Sequence, residues 1–416
     1  MNTIQVNIET SLLSPMLAVG TFGYDINLGK MTYRWEFTPD WLRRYRHITL
    51  SGDLLNADGP QYTSKALFCL LQDAMPDRWG RNLIKKREHI LAQQQGRAPR
   101  HLTDVDYLIQ VDDTTRMGAL RFSFDGQATG GEYAEMHVPP ITYLREFMDM
   151  AHEYERREMN GGTIREEWLL NLYRQGSSLG GARPKANVID TDGNLWIAKI
   201  PSVNDDYDVA LWEYWALQLA SMAGINIPQI KLLSLDGTHF HTLLSKRFDR
   251  QGNNRIHFAS AMTLTGLHDG ADAASGNGYL DIVDAVLSDT GFVNPQEALE
   301  QLFRRVAFSI AIGNHDDHFR NHGFLLSEKG WKWAPAYDIN PSNIMVQSLL
   351  ISRESNQSSL DILLNAAGDY MISEVAARRI IDEVLAAVSQ WRIVANRCAI
   401  SAAEQKRFAA RIIDRW

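Results

Sequence analysis

Asn314-His315-Asp316-Asp317-His318-Phe319-Arg320-Asn321-His322 gathers three histidines, two aspartates and two asparagines directly behind an apolar helical pattern. The pattern upstream predicts a helix over 295–312. Asn294 is placed as its N-cap, Pro295 at its first position and Glu297 as a capping-box residue. Leu299, Leu302, Phe303, Val306 and Ile310 form its apolar stripe, and Gly313 is a natural terminator. Downstream, two short apolar runs, 323–326 and 331–337, flank the turn Glu328-Lys329-Gly330 and end in Asp338-Ile339-Asn340-Pro341. Two strands of this kind would hold Asp338 near the segment from Asp316 to Asn321.

Three chemistries compete for this cluster. It reads as a solvated polar loop, as a metallohydrolase site with His315, Asp316, His318 and His322 as ligands, or as a phosphoryl-transfer loop. No helix supports a His-x-x-x-His face here, which weakens the metallohydrolase. Protein kinases carry out phosphoryl transfer with a catalytic Asp, an Asn five positions later and a further metal-binding Asp after a hairpin. Asp316, Asn321 and Asp338 stand in that order, and Mg²⁺ prefers such oxygen ligands.

The region upstream supplies what a nucleotide needs. Gly176-Ser177-Ser178-Leu179-Gly180-Gly181 is a glycine-rich loop whose amides can approach phosphates. It is not a Walker A loop, because Ala182-Arg183 stands where Gly-Lys-Ser/Thr would continue. Ala186 to Asp190 and Leu195 to Ile200 flank the turn Thr191-Asp192-Gly193-Asn194 and predict a hairpin. Lys199 ends its second strand. Glu213 follows on a helix expected from Asp208 to Ala223, in the pattern of a strand lysine and helix glutamate that orient nucleotide phosphates. Lys185 and Arg183 add positive charge. Further helices are expected over 64–73, 78–95, 142–157 and 165–173, and a strand over 240–248.

Composition narrows the class. The chain has 416 residues, 45% of them hydrophobic and 22% charged, which excludes wholesale disorder and fibrous repeats. A net charge of −8 argues against wrapping nucleic acid directly. Two cysteines, Cys69 and Cys398, provide neither a disulfide framework nor a Cys-based zinc site. No basic n-region opens the chain and no apolar run reaches the ~20 residues of a membrane span, so a cytoplasmic protein without membrane contact is expected.

Five ordered motifs then carry a family resemblance: Ser-Ser-Leu-Gly-Gly-Ala-Arg-Pro-Lys (177–185), Ala-Lys-Ile-Pro (198–201), Arg-Phe-Asp-Arg (247–250), Gly-Asn-His-Asp-Asp-His-Phe-Arg-Asn (313–321) and Pro-Ala-Tyr-Asp-Ile-Asn-Pro-Ser (335–342). Together they resemble the HipA family, bacterial serine/threonine kinase toxins of type II toxin–antitoxin pairs. The segment 73–81 resembles the family's N-terminal subdomain. The resemblance implies an α+β, protein-kinase-like, two-lobed fold. Its expected parts are an N-terminal subdomain over 1–125, a nucleotide-binding lobe over 126–250 and a helical lobe over 251–416.

The same resemblance implies the roles of individual residues. Asp316 is the expected catalytic residue, and Asn321 and Asp338 the Mg²⁺ ligands. Ser178, Gly180, Gly181, Lys185, Lys199, Lys246, Phe248, His318 and Tyr337 are expected to contact ATP, with Glu213 supporting Lys199. Ser178 falls at the family's autophosphorylation site, with Ser177 as the other candidate. Many members carry an acidic residue where this chain has Lys246. Implied partners are a protein substrate, by family analogy a component of translation, and a helix-turn-helix antitoxin dimer that brings operator DNA indirectly. A catalytically silent, nucleotide-binding corepressor is the alternative reading.

Overall fold

The computed structural model describes residues 2–27, 30–124, 127–128, 138–162, 164–176, 178, 183–288, 291–342 and 344–413. Two compact units build the chain. The first joins Met1–Arg46, Asn56–Asp206 and Ile230–Phe258; the second joins His47–Leu55, Tyr207–Gln229 and Ala259–Trp416.

Among the described residues the first unit holds a six-stranded sheet, a four-stranded sheet and a two-stranded ribbon of Arg250–Gln251 with Asn254–Arg255. β1 (Asn2–Thr10), β2 (Ser14–Asn27), β3 (Lys30–Phe37), β4 (Gln61–Thr63), β5 (Leu120–Phe124) and β6 (Gln127–Ala128) form a sheet in the order β4-β3-β2-β1-β5-β6. Ile4, Val6 and Ile8 alternate along β1 and are buried, the period-two signature of a strand with one covered face. The second sheet is β7 (Lys185–Ile189), β8 (Leu195–Lys199), β9 (Ile230–Leu233) and β10 (Thr242–Lys246), in the order β7-β8-β10-β9. The hairpin between β7 and β8 forms where the turn residues predict it. Gly193 adopts φ 80°, and the Asp190 carboxylate accepts from the Asn194 amide (2.8 Å) and from Trp196 Nε1 (2.8 Å). β9 was not anticipated from the sequence.

Helices Arg78–Gln94, Leu144–Asn160 and Glu166–Gly176 stand close to their expected bounds. The helix expected over 64–73 shrinks to Cys69–Gln72, because Phe68 is extended and the Gln72 side chain donates to the Leu67 carbonyl instead (2.9 Å). The strand expected over 240–248 is confined to 242–246.

The second unit is mainly helical. Helix Val209–Met222 starts at Asp208, whose carboxylate accepts from the Leu211 amide (3.0 Å), and Gly224 follows it at φ 76°. Its Trp215 Nε1 donates to the Trp391 carbonyl (3.0 Å), tying it to helix Trp391–Arg397. Helix Pro295–Ile312 is capped by Asn294, which accepts from the Glu297 amide, and ends on Gly313 in the left-handed region at φ 72°. The expected stripe is buried, and so are Arg305 and Ser309 beside it. Arg305 donates to the Ala334 carbonyl (2.7 Å) and lies over the Trp333 ring, while burial pulls its pKa down to about 10.

Strands Gly323–Ser327 and Gly330–Trp333 form the hairpin after the histidine-rich loop. The second is shorter than expected. Beyond Trp333 the backbone donors leave the sheet: Ala336 N–H bonds the Asn226 carbonyl (2.8 Å) and Asp338 N–H bonds Glu213 Oε1 (3.1 Å).

Candidate active site

In the second unit the loop 314–322 sorts its polar side chains by direction. His315 is largely consumed by structure: Nδ1 lies 2.6 Å from the Ile344 carbonyl and Nε2 lies 3.1 Å from Ser358 Oγ. Asp317 points inward and is fully enclosed by Tyr279, Ser309 and His322. Asp316 points the other way, to solvent. Partial burial raises its pKa above the ordinary aspartate value; His318 opposes that shift, and the Asp338 and Asp317 carboxylates add to it. Asp316, His318 and Asp338 are therefore electrostatic neighbours, as the loop-and-hairpin order requires.

Asn321 completes the group. Its Nδ2 donates to the Asp316 carbonyl (3.1 Å), which turns Oδ1 away from that bond and makes it the atom a cation would use. Asp338 is one of three described non-glycine residues with positive φ (57°). An aspartate in the left-handed region is strained by ~1–3 kcal/mol and persists only where its surroundings hold it. Glu213, itself buried, supplies that hold by accepting from the Asp338 amide. Tyr337 Oη donates to the Arg320 carbonyl (2.7 Å), which fixes the phenol against the loop.

A hard cation fits this donor set. Two neighbouring carboxylates and an amide oxygen are what Mg²⁺ takes, and carboxylates held close together are relieved by a positive charge between them. The metallohydrolase quartet does not form: His315 is tied to Ile344 and Ser358, and His322 lies with Asp317 in the interior. Among the described residues no three His, Cys, Asp or Glu side chains converge as a metal site.

In the first unit, Lys185 and Lys199 are direct cross-strand partners on β7 and β8, with Ala186 opposite Ala198 next to them. Partners in an antiparallel ladder present their side chains on the same face, and like charges so placed repel unless an anion or counter-charge sits with them. Lys246 pairs with Trp196 near the end of β10, and the Phe248 ring lies 6.0 Å from that of Phe258. Ser178 is buried, its Oγ accepting from Asn187 Nδ2 (2.9 Å). Gly176 leaves no room for a side chain: a Cβ there would stand 2.7 Å from Trp79 Nε1. Ser177, Gly180 and Gly181 lie outside the described residues.

The Arg-Phe-Asp-Arg motif (247–250) sends its charges into the interior of the first unit. Phe248 faces one way, while Arg247 and Asp249 turn into the interior. Asp249 accepts from Arg247 (2.6 Å), Arg250 (2.6 Å) and the Gly118 amide (2.8 Å). Arg247 also donates to the Thr115 carbonyl (2.6 Å) and to Asn187 Oδ1 (2.9 Å). Burial alone would raise the Asp249 pKa, but Arg247 and Arg250 hold it well below the usual range. Burial pulls Arg250 down to about 9. Asn187 thus stands between this ion cluster and Ser178, a role its position in a strand did not advertise.

Comparison with known proteins decides the family. The model of the HipA-like C-terminal domain matches residues 177–391, and that of the HipA N-terminal domain matches 16–123. The chain belongs to the HipA family. The C-terminal HipA match contains 177–181 of the glycine-rich segment and the 314–322 loop. Over almost its whole length (98%) the chain also superposes on HipA of Shewanella oneidensis, solved with HipB and operator DNA, with a TM-score of 0.68, 16% identity and 94% of that chain covered. At that identity the likeness shows the HipA fold, an α+β architecture with sheets and a helical part. Curated relatives that carry the name "Putative kinase" include the following two. Y4dM of Sinorhizobium fredii is 26% identical over 53% of this chain and 56% of its own length. The Haemophilus influenzae protein is 26% identical over 48% of this chain and 65% of its own length. The chain thus spans between half and two thirds of these curated relatives.

Proposed function

We propose that this HipA-family chain is an Mg²⁺-dependent kinase that transfers the γ-phosphoryl group of ATP to a serine or threonine of a protein. The observation that carries the reading is the group Asp316, Asn321 and Asp338: one exposed carboxylate of raised pKa, one amide anchored to its backbone, and one strained aspartate held by Glu213. Mg²⁺ and ATP supply the transferable phosphoryl group and the charge that offsets it. Asp316 orients the acceptor hydroxyl and accepts its proton, a role its raised pKa suits by keeping it an effective base. Asn321 and Asp338 offer the oxygen ligands. Lys185 and Lys199 meet the phosphates, with Glu213 the partner assigned to Lys199. Lys246, Phe248, His318 and Tyr337 border the nucleotide, and Gly180 and Gly181 lend backbone amides.

By family, the activity is that of a cytoplasmic toxin acting on a component of translation. A HipB-like helix-turn-helix antitoxin dimer would neutralise it and carry it to operator DNA, which suits a chain of net charge −8. Among the described residues no helix is long and apolar enough to cross a membrane.

Ser178 is the proposed autophosphorylation site. Its hydroxyl is buried on Asn187, so the loop must leave this position before the oxygen can receive phosphate. A phosphate there adds about −1.5 to −2 charge and no longer fits the enclosed site, so the modified loop stays out and the kinase is switched off. Incubation with labelled ATP and Mg²⁺ tests the activity. Wild type should label itself, Asp316→Asn should not, and only wild type should arrest growth when expressed. A folded wild type that binds nucleotide yet transfers nothing would make it the silent corepressor instead.

A further inference from the structure

We propose that Asp317 and His322 form a buried positioning couple that sets the distance between Asp316 and Asn321; this rests on the kinase reading above. Asp317 accepts on one oxygen from Tyr279 Oη (2.8 Å) and Ser309 Oγ (3.0 Å), and its other oxygen stands 3.1 Å from His322 Nε2, an ion-pair approach outside hydrogen-bond geometry. Those partners come from three places: helix Tyr279–Leu287, helix Pro295–Ile312 and the far end of the loop itself. Asp317 follows Asp316, and His322 follows Asn321. The side-chain bridge therefore closes the loop on its inner side, as Asn321 Nδ2 to the Asp316 carbonyl closes it on the outer side. Between these ends the loop contributes little backbone bonding of its own; Asn321 N–H to the His318 carbonyl (2.8 Å) is the bond within it.

The couple sits in a dry, packed place. Tyr279 and Trp333 lie edge-on to the His322 ring at 5.7 and 6.0 Å, and the His322 carbonyl accepts from the Ala261 amide (2.7 Å). In such surroundings hydrogen bonds are strong, and a missing partner is felt throughout the network. Asp317 touches no reacting atom. It acts through Asp316 and Asn321, whose carboxylate and amide must hold their separation to within a fraction of an ångström for in-line transfer.

Three single variants, Asp317→Asn, His322→Gln and Tyr279→Phe, and one double variant test this in the whole chain. Rates are measured in a single turnover per bound ATP, so that loss of folded protein does not count. Asp317→Asn should slow transfer at least ~10-fold, since a displacement of 1 Å can cost about 100-fold, with ATP affinity within about twofold of wild type. The Asp317→Asn/His322→Gln double variant should be no slower than the slower single one, as expected of groups acting as a unit. Hydrogen exchange of the amides 315–321 should quicken in each variant, while those of helix Pro295–Ile312 stay protected. An unchanged rate per bound ATP overturns the proposal, and so does a loop as protected as in wild type. Should Asp317→Asn not fold, Tyr279→Phe carries the same comparison. If wild type transfers no phosphate, the kinase reading fails and hydrogen exchange alone decides whether the couple positions the loop.

Discussion

On the proposed kinase reading, replacing Glu213 by alanine should raise the Mg²⁺ requirement by roughly 10- to 100-fold while leaving the protein folded. Asp338 holds a left-handed conformation at φ 57°, and its amide is bonded to Glu213 Oε1 at 3.1 Å. The conformation costs ~1–3 kcal/mol for a residue with a side chain. A hydrogen bond to a charged group contributes ~1.5–3 kcal/mol. The two terms are of the same size, so losing the acceptor lets Asp338 relax out of the geometry in which its carboxylate faces Asp316. At about 1.4 kcal/mol per factor of ten, the population of the metal-competent form falls by the stated range. Glutamine separates two roles of this residue: its amide oxygen still accepts from the Asp338 N–H, but it carries no charge toward Lys199, the lysine proposed to meet the phosphates. The assay is initial rate of radiolabel transfer against Mg²⁺ concentration at saturating ATP, with circular dichroism to check folding. Glu213→Ala should shift the curve strongly, and Glu213→Gln by less than Ala. If Ala leaves the Mg²⁺ dependence at the wild-type value, the strain argument is wrong. Gln and Ala shifting it equally would refute the acceptor role and leave only charge.

Other outcomes follow from the first unit. Lys199→Ala should raise the ATP concentration for half-maximal rate at least ~10-fold with little loss of stability, because a strand lysine contributes mainly its stem to packing; unchanged ATP use would make Lys199 a structural residue. Asp249→Asn should destabilise the protein by about 3–5 kcal/mol, since it leaves buried arginines without their counter-charge, and a loss below ~1 kcal/mol in urea melts would contradict that. The folded-state pKa of Asp249 lies below that of an unfolded aspartate. Its stabilisation is thus full above about pH 4 and is lost as pH falls further, so wild type, unlike Asp249→Asn, should show this component of acid sensitivity. Mass spectrometry after incubation with Mg²⁺ and ATP should place phosphate on Ser178. Asn187→Ala, which removes the Ser178 hydrogen bond, should speed that modification; slower labelling would mean that Asn187 presents the serine rather than retains it.

Much of this molecule is written in short-range signals. The helix from Pro295 to Ile312 has its cap, proline, apolar stripe and terminating glycine within twenty neighbouring residues. The hairpin at Asp190–Asn194 and the order Asp316, Asn321, Asp338 are equally local, so composition and spacing suffice to place them. Where local preference met a competing bond, spacing misled: Gln72 bonds Leu67 and shortens the helix expected over 64–73, and the donors after Trp333 turn to Asn226 and Glu213 rather than extend a strand.

What only the tertiary structure decided is direction. Neighbours in sequence, Asp316 and Asp317 are sent to solvent and to the core by Tyr279 and Ser309, which no spacing in the loop reveals. Glu213 reaches an amide 125 positions away, and Asp249 one 131 positions away. Arg-Phe-Asp-Arg reads as a nucleotide border, yet its charges are spent on Thr115, Gly118 and Asn187. The reason is physical: dihedral preference and hydrophobic period act over a few residues, whereas the partner of a buried charge is chosen by which distant groups the folded chain brings within about 3 Å of it.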